Sequence, residues 1–188
     1  MRTARDGARA LHAALTEQGG TVADVLGDPA AVGARTPLDH PGPAQLAAAG
    51  PRVRGREREY ELLLEMILEG YRLHYDEPLV VDTPDVDLAL LLGDQLYALG
   101  LSRLAALGDL DAVAELADVI SLAAQAHAAS DRELAQAVWE AGAVSVGWGS
   151  SEAHAEAKAS ARAHDPGAVQ ALRAGACAVR SEPTDARL

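Results

Sequence analysis

The stretch that decides the fold is Asp85–Gly108, whose sequence is DVDLALLLGDQLYALGLSRLAALG. Within it, residues 88–107 carry only four clearly polar side chains, which are Asp94, Gln95, Ser102 and Arg103. A helix that is apolar almost all round either crosses a membrane or lies inside a helical bundle. Because charged side chains near the middle of a membrane span are costly, Asp94 and Arg103 argue against a span. The pattern therefore predicts a buried central helix over residues 85–107.

Amphipathic helices are predicted on both sides of this stretch. Residues 56–75 and 110–127 each place apolar side chains at helical spacing along one face. Asp131 predicts the start of a further helix, which the glycines of 147–150 bend or break, and an alanine-rich helix follows over 166–179. No segment has the pattern of a convincing strand. The predicted fold is an all-α bundle of about five main helices around the central one.

The chain divides by composition into three parts. Residues 1–52 hold only a short helical pattern and then a series of prolines and glycines, which indicates a mobile N-terminal lead. Residues 53–180 form the predicted helical domain, and residues 181–188 a frayed tail. These boundaries predict one folded domain.

The balance of charge excludes one class of partner. The formal net charge is −12. Residues 59–188 hold 22 acidic and 8 basic side chains, whereas residues 1–58 hold 6 acidic and 8 basic ones. A nucleic-acid-binding protein needs a basic face, so no nucleic-acid partner is expected.

Cysteine content and the N-terminal segment suggest a compartment. The single cysteine, Cys177, excludes an internal disulfide framework and is compatible with a reducing environment. The first residues lack the apolar run of a secretory signal. With no membrane span predicted either, a cytoplasmic location is expected.

Asp94 is the most informative single residue, because a carboxylate inside a leucine-rich helix needs a partner. Asp87 lies seven positions earlier on about the same face, and Gln95 lies beside them. Asp94 is either a tie between helices, with His74 as a possible partner, or part of a site. His74 itself, on the apolar face of its helix, is either an interface histidine or a ligand. We therefore name His74, Asp87, Asp94 and Gln95 as buried polar residues and a possible site.

The segment LLLGDQLYALGL, followed by LAALGDLDAVAELA, resembles one part of the trans-isoprenyl diphosphate synthases. In that family, a Leu-x-Gly-Asp-x-Leu helix precedes a Leu-x-x-x-Gly turn and a further apolar helix. The resemblance covers residues 69–128, about a third of the chain, and implies an isoprenoid-synthase-like helical fold. Catalytic members also carry two aspartate-rich motifs, which bind the magnesium ions that hold a diphosphate.

The chain departs from the catalytic pattern in its acidic residues. It has Asp76, Asp82 and Asp85 where the first aspartate-rich motif would stand, and nothing that matches the second. Carboxylates at a helix start are also favoured by the helix dipole, so these three are weak candidates for metal ligands. No catalytic residue and no cofactor is predicted, and magnesium enters only if the chain is itself an enzyme.

One branch of the family, the small, non-catalytic subunit of two-component long-chain prenyl diphosphate synthases of the heptaprenyl type, also lacks the aspartate-rich motifs. That branch is all-helical and has a Gly-Asp helix preceded by a Gly-x-x-x-His segment, which residues 70–74 resemble. The resemblance implies a subunit that pairs with a catalytic partner in isoprenoid chain elongation. Two alternatives stay open: a degenerate magnesium-dependent prenyl or terpene diphosphate enzyme, and a helical adaptor or homodimer unrelated to isoprenoids.

Overall fold

The computed structural model describes residues 2–32 and 38–181. Within these ranges the protein is all-α, as predicted, and its only β-pairing is an isolated antiparallel bridge between Leu26 and Val81. The described residues form eight α-helices: α1 Ala4–Gln18, α2 Pro43–Ala48, α3 Glu57–Tyr75, α4 Val86–Ala106, α5 Leu110–Ala128, α6 Arg132–Trp148, α7 Glu152–Arg162 and α8 Ala168–Ser181. None of these helices has both the length and the apolar character that are needed to cross a membrane.

The chain forms two compact units, which differ from the predicted division at 52 and 180. The first comprises the described residues within Met1–Gln45 and Arg58–Gly108, and the second those within Leu46–Glu57 and Asp109–Leu188. Most of the predicted N-terminal lead is therefore part of the first unit. Its helix α1 begins with a capping box between Thr3 and Asp6 and buries Leu11 and Leu15. The predicted tail, apart from Ser181, lies outside the described residues.

The most buried helix of the first unit is α3, not the predicted α4. Twelve of its 19 residues are buried, against five of 21 in α4. The expectation of a buried central helix over 85–107 was wrong because α4 exposes part of its apolar surface, with Val86 71% and Leu91 67% exposed. Its N-cap is Asp85, whose carboxylate accepts hydrogen bonds from the backbone of Asp87 and Leu88.

The second unit is built around α6, which packs against α5 and α8, while α7 packs against α8. Alanine and glycine on α6 permit close packing; for example, Gly142 lies directly against Val119 of α5. The helix ends at Trp148, with Gly149 at a positive φ of 98°, which confirms the predicted break. Asp131 caps α6, as predicted, and Asp109 caps α5.

Candidate functional site

The first feature of the candidate site is the close crossing of α3 and α4, which glycines make possible. A Cβ atom placed on Gly93 would lie 2.7 Å from the His74 ring and 3.1 Å from the carbonyl oxygen of Gly70. A Cβ atom on Gly70 would lie 2.8 Å from the carbonyl oxygen of Gly93. Farther along α4, a Cβ atom on Gly100 would lie 2.5 Å from the side chain of Ile67. The two backbones therefore approach too closely for any larger residue.

His74 and Asp94 lie together at the end of this crossing. Asp94 Oδ1 is 3.1 Å from His74 Nε2, so the predicted tie between these two residues is present. The ring nitrogen is buried, yet no described residue offers it a hydrogen bond of acceptable geometry. The expectation that Asp94 is buried was wrong, since 73% of its side chain is exposed. The pair is therefore a contact at the surface and not a charge inside the core.

Tyr97 completes the cluster. Its ring stacks on His74, with centroids 5.5 Å apart and planes 13° from parallel. Its hydroxyl is buried and has no hydrogen-bond partner among the described residues. Burial raises the pKa of Tyr97, and Tyr75, Tyr71 and Asp94 add to the rise, so the phenol stays neutral. The stack fixes the orientation of the imidazole beside the carboxylate.

The other two predicted members of the site do not join it. Asp87 and Gln95 are both exposed, and so their predicted burial was also wrong. Both are among the exposed residues of α4 and lie outside its glycine contacts with α3. The structure thus brings together two of the four predicted residues, His74 and Asp94.

The three weak candidates for metal ligands are also exposed. Asp76 accepts a hydrogen bond from the backbone of Glu77, and Asp85 is used as the α4 cap. Asp82 is exposed in the connection before α4. In the described ranges, no three His, Cys, Asp or Glu side chains are grouped so that they could hold a metal ion.

Sequence reasoning missed a row of buried glutamates on α3. Glu61, Glu65 and Glu69 follow one another at intervals of four residues, and all three are at most 4% exposed. The Gln45 amide donates to Glu61 and Glu65 at 2.9 Å, and Gly7 of α1 covers the same place. The spacing itself was a signal, but acids at i, i+4 and i+8 of an amphipathic helix are also typical of a solvent face.

Each glutamate of this row has a different set of partners. Arg2 pairs with Glu61 at 3.0 Å. Glu69 accepts hydrogen bonds from the backbone N–H groups of residues 79–81 at 2.7–3.1 Å and pairs with Arg72 at 3.2 Å. Glu65 Oε2 has only Arg72 at 3.6 Å and no hydrogen bond within the described chain. Glu69 thus anchors the connection to α4, while Glu65 is incompletely compensated.

The second unit holds another buried acid, Glu115 of α5, with complete partners. His154 Nε2 lies 2.7 Å from one carboxylate oxygen, and Lys158 donates to the other at 2.7 Å. Lys158 also donates to Asp118 at 2.8 Å, and Arg162 pairs with the same carboxylate. This network ties α7 to α5. Each acid of the network has a basic partner, so the network is a structural tie between the two helices.

Comparison with known proteins finds no matching family model, no matching curated protein and no matching solved structure. The chemistry must therefore be argued from the residues themselves. At the α3–α4 crossing, a stacked imidazole beside an exposed carboxylate can exchange a proton or bind a polar group. The clearest property of the crossing is structural. It holds α4 in a position in which Val86, Leu90 and Leu91 are exposed.

Proposed function

We propose that the chain is a non-catalytic subunit that resembles the small subunits of two-component prenyl diphosphate synthases and pairs with a catalytic chain in isoprenoid elongation. The observation that carries the proposal is the α3–α4 crossing. The resemblance rests on two separate segments, Gly70-x-x-x-His74 and Gly93-Asp94. In the fold, these segments meet each other, glycine against glycine and histidine against aspartate.

The arrangement of the carboxylates agrees with an accessory role. A diphosphate enzyme needs convergent acids to hold magnesium around its substrate. Asp76, Asp82 and Asp85 are exposed, and Asp85 caps a helix. On this proposal, the magnesium ligands and the diphosphate site belong to the catalytic partner.

The test is to reconstitute the chain with the polyprenyl diphosphate synthase catalytic chain of its own host. We expect a stoichiometric complex in size-exclusion chromatography with light scattering, and a product length that differs from that of the catalytic chain alone. An unchanged product and separate elution would contradict the proposal. A matched measurement addresses the enzyme alternative: the purified chain alone should bind no inorganic diphosphate at millimolar concentration with magnesium.

A further inference from the structure

The outer face of α4 carries an unusual combination of exposed apolar and acidic side chains. We define the α4 outer face by six exposed residues: Val86, Asp87, Leu90, Leu91, Asp94 and Ala98. Val86 and Leu91 are 71% and 67% exposed, and Leu90 is 39% exposed. Exposed apolar side chains that lie next to one another on a helix indicate an interaction surface when they form a patch. Here Val86 and Leu90 are one turn apart, and Leu91, farther round the helix, lies one turn from both Asp87 and Asp94.

The charged residues in the stretch of sequence that carries this patch have one sign. From Asp76 to Ser102 the chain contains six acidic residues and no lysine or arginine. All six are exposed, and four of them, Asp82, Asp85, Asp87 and Asp94, are near the patch in sequence. Each of the four lies on α4 or just before it. An apolar patch with only negative neighbours attracts a partner that supplies apolar side chains between positive ones.

The same charges argue against other occupants. In a twofold dimer through this face, Asp87 and Asp94 would meet the same acidic face of the second copy. Nucleic acids and anionic membranes are also negative and would be repelled. The acidic total of the whole chain, −12, adds to this repulsion.

We infer that the α4 outer face is the docking surface for a helix or strand of a different protein, in which apolar side chains are flanked by lysine or arginine. Only the identity of that protein, the catalytic chain, rests on the proposed function. The glycine crossing with α3 holds this face in place from behind. Leu91 is the most exposed leucine of this face and is the residue whose change should matter most.

Photo-crosslinking in the native host tests the chemistry of the occupant. The chain is produced with benzoylphenylalanine at position 91, and a matched control carries it at position 110, where Leu110 of α5 is 66% exposed. We expect a crosslink from position 91 and none of the same kind from position 110. Mass spectrometry should map it to a partner segment with basic residues around apolar ones. A crosslink to a second copy, to an acidic segment, or to no protein would overturn the inference.

Affinity for the catalytic chain separates the inference from the proposed function. If that chain binds, Leu91→Glu should weaken binding about tenfold or more, whereas Leu110→Glu should leave it within about twofold. Equal binding by both variants would overturn the inference and leave the proposed function standing. A basic crosslinked segment in a protein that is not a prenyl synthase would uphold the inference and remove the proposed function. Because Leu91 is exposed, thermal melts of the variant should match those of the unchanged chain.

Discussion

The two units both bury a glutamate on a helix, but they compensate it differently. In the first unit, Glu65 Oε1 receives a hydrogen bond from Gln45, while Oε2 has only Arg72 at 3.6 Å. In the second, both oxygens of Glu115 have partners at 2.7 Å, His154 and Lys158. The same side chain at similar burial therefore has a complete set of partners in one unit and an incomplete set in the other.

The difference moves the two pKa values in opposite directions. Burial raises the pKa of Glu65, and the neighbouring Glu69 and Glu61 raise it further, against the lowering effects of Arg72 and Gln45. Burial also acts to raise the pKa of Glu115, but the hydrogen bonds and charges of His154 and Lys158 together outweigh it, and the pKa is lowered. Burial alone does not decide the state of an acid; the number and geometry of its partners do.

The largest effect is expected at Glu115, because its removal leaves His154 and Lys158 without their buried partner. We expect Glu115→Ala to lower the free energy of unfolding by about 3 kcal/mol, as measured by urea denaturation. The control is Glu156→Ala, an exposed position on α7, which should change stability by less than about 0.5 kcal/mol. Similar losses in both variants would mean that the network does not hold α7.

The crossing of α3 and α4 provides the second test, at Gly93 of α4. A Cβ atom there would overlap the ring of His74, so Gly93→Ala should destabilise the fold by about 2 kcal/mol. Gly175 of α8 is a matched control, because a Cβ atom on it would have no neighbour nearer than 3.9 Å. Gly175→Ala should be neutral or stabilising by up to about 1 kcal/mol, since alanine is the better helix former. Differential scanning calorimetry of the two variants would separate the expectations, and a neutral Gly93→Ala would contradict the close crossing.

Glu65 should respond in the opposite sense to Glu115. Because its charge is incompletely compensated, Glu65→Gln should stabilise the protein by about 1 kcal/mol at neutral pH, measured by urea denaturation. An exposed acid on α1, Glu17, gives the control: Glu17→Gln should leave stability within about 0.5 kcal/mol. A marked destabilisation by Glu65→Gln would show that the ionised carboxylate is well stabilised, and the contrast between the units would be lost.

The pH dependence of stability follows from the signs of these two shifts. The folded pKa of Glu65 lies above its unfolded value of 4.5. The stability that this shift contributes is therefore fully present below pH 4.5 and is lost as the pH rises through the folded pKa. The folded pKa of Glu115 lies below 4.5, so its contribution is present above that value and is lost as the pH falls through the folded pKa. In a pH series of denaturation curves, Glu65→Gln should reduce the loss of stability that occurs as the pH rises. Glu115→Gln should reduce the loss of stability that occurs as the pH falls. If both variants changed stability in the same pH range, the comparison between the two glutamates would be contradicted.

The smallest effect is expected at Asp94. Its contact with His74 is largely exposed to solvent, so Asp94→Ala should cost less than about 1 kcal/mol in urea denaturation. Salt should reduce the effect further. A loss of 2 kcal/mol or more would restore the original expectation that Asp94 is a buried, paired group.

Local sequence signals predicted the helices well. The apolar spacing of α3 and the caps Asp109 and Asp131 are properties of neighbouring residues, and the observed helices begin where those signals indicate. The contact of Asp94 with His74 was also predicted, although the burial of Asp94 on which that prediction rested is absent. Burial was not predictable in the same way. The cover over α3 comes from Gly7 and Gln45, which are distant in sequence, and so an acidic row with solvent-face spacing proved to be buried.

The converse error occurred in α4, where burial was predicted and exposure is observed. A helix that is apolar nearly all round predicts burial, and Leu91 should then have been inside. It is 67% exposed, although Leu92 and Leu96 beside it are buried. Single-chain reasoning cannot distinguish a side covered by the chain itself from one that a second protein covers. The exposed side of α4 is therefore the place where sequence and structure together suggest a partner.

The most direct measurement is a mild purification of the tagged chain from its own host, with every retained protein identified by sequencing and its ratio to the chain determined. The account predicts one stoichiometric partner that carries two intact aspartate-rich motifs, and its loss on Leu91→Glu. Recovery of the chain alone, or with proteins that lack those motifs, would contradict the proposal that it is the accessory half of a prenyl diphosphate synthase.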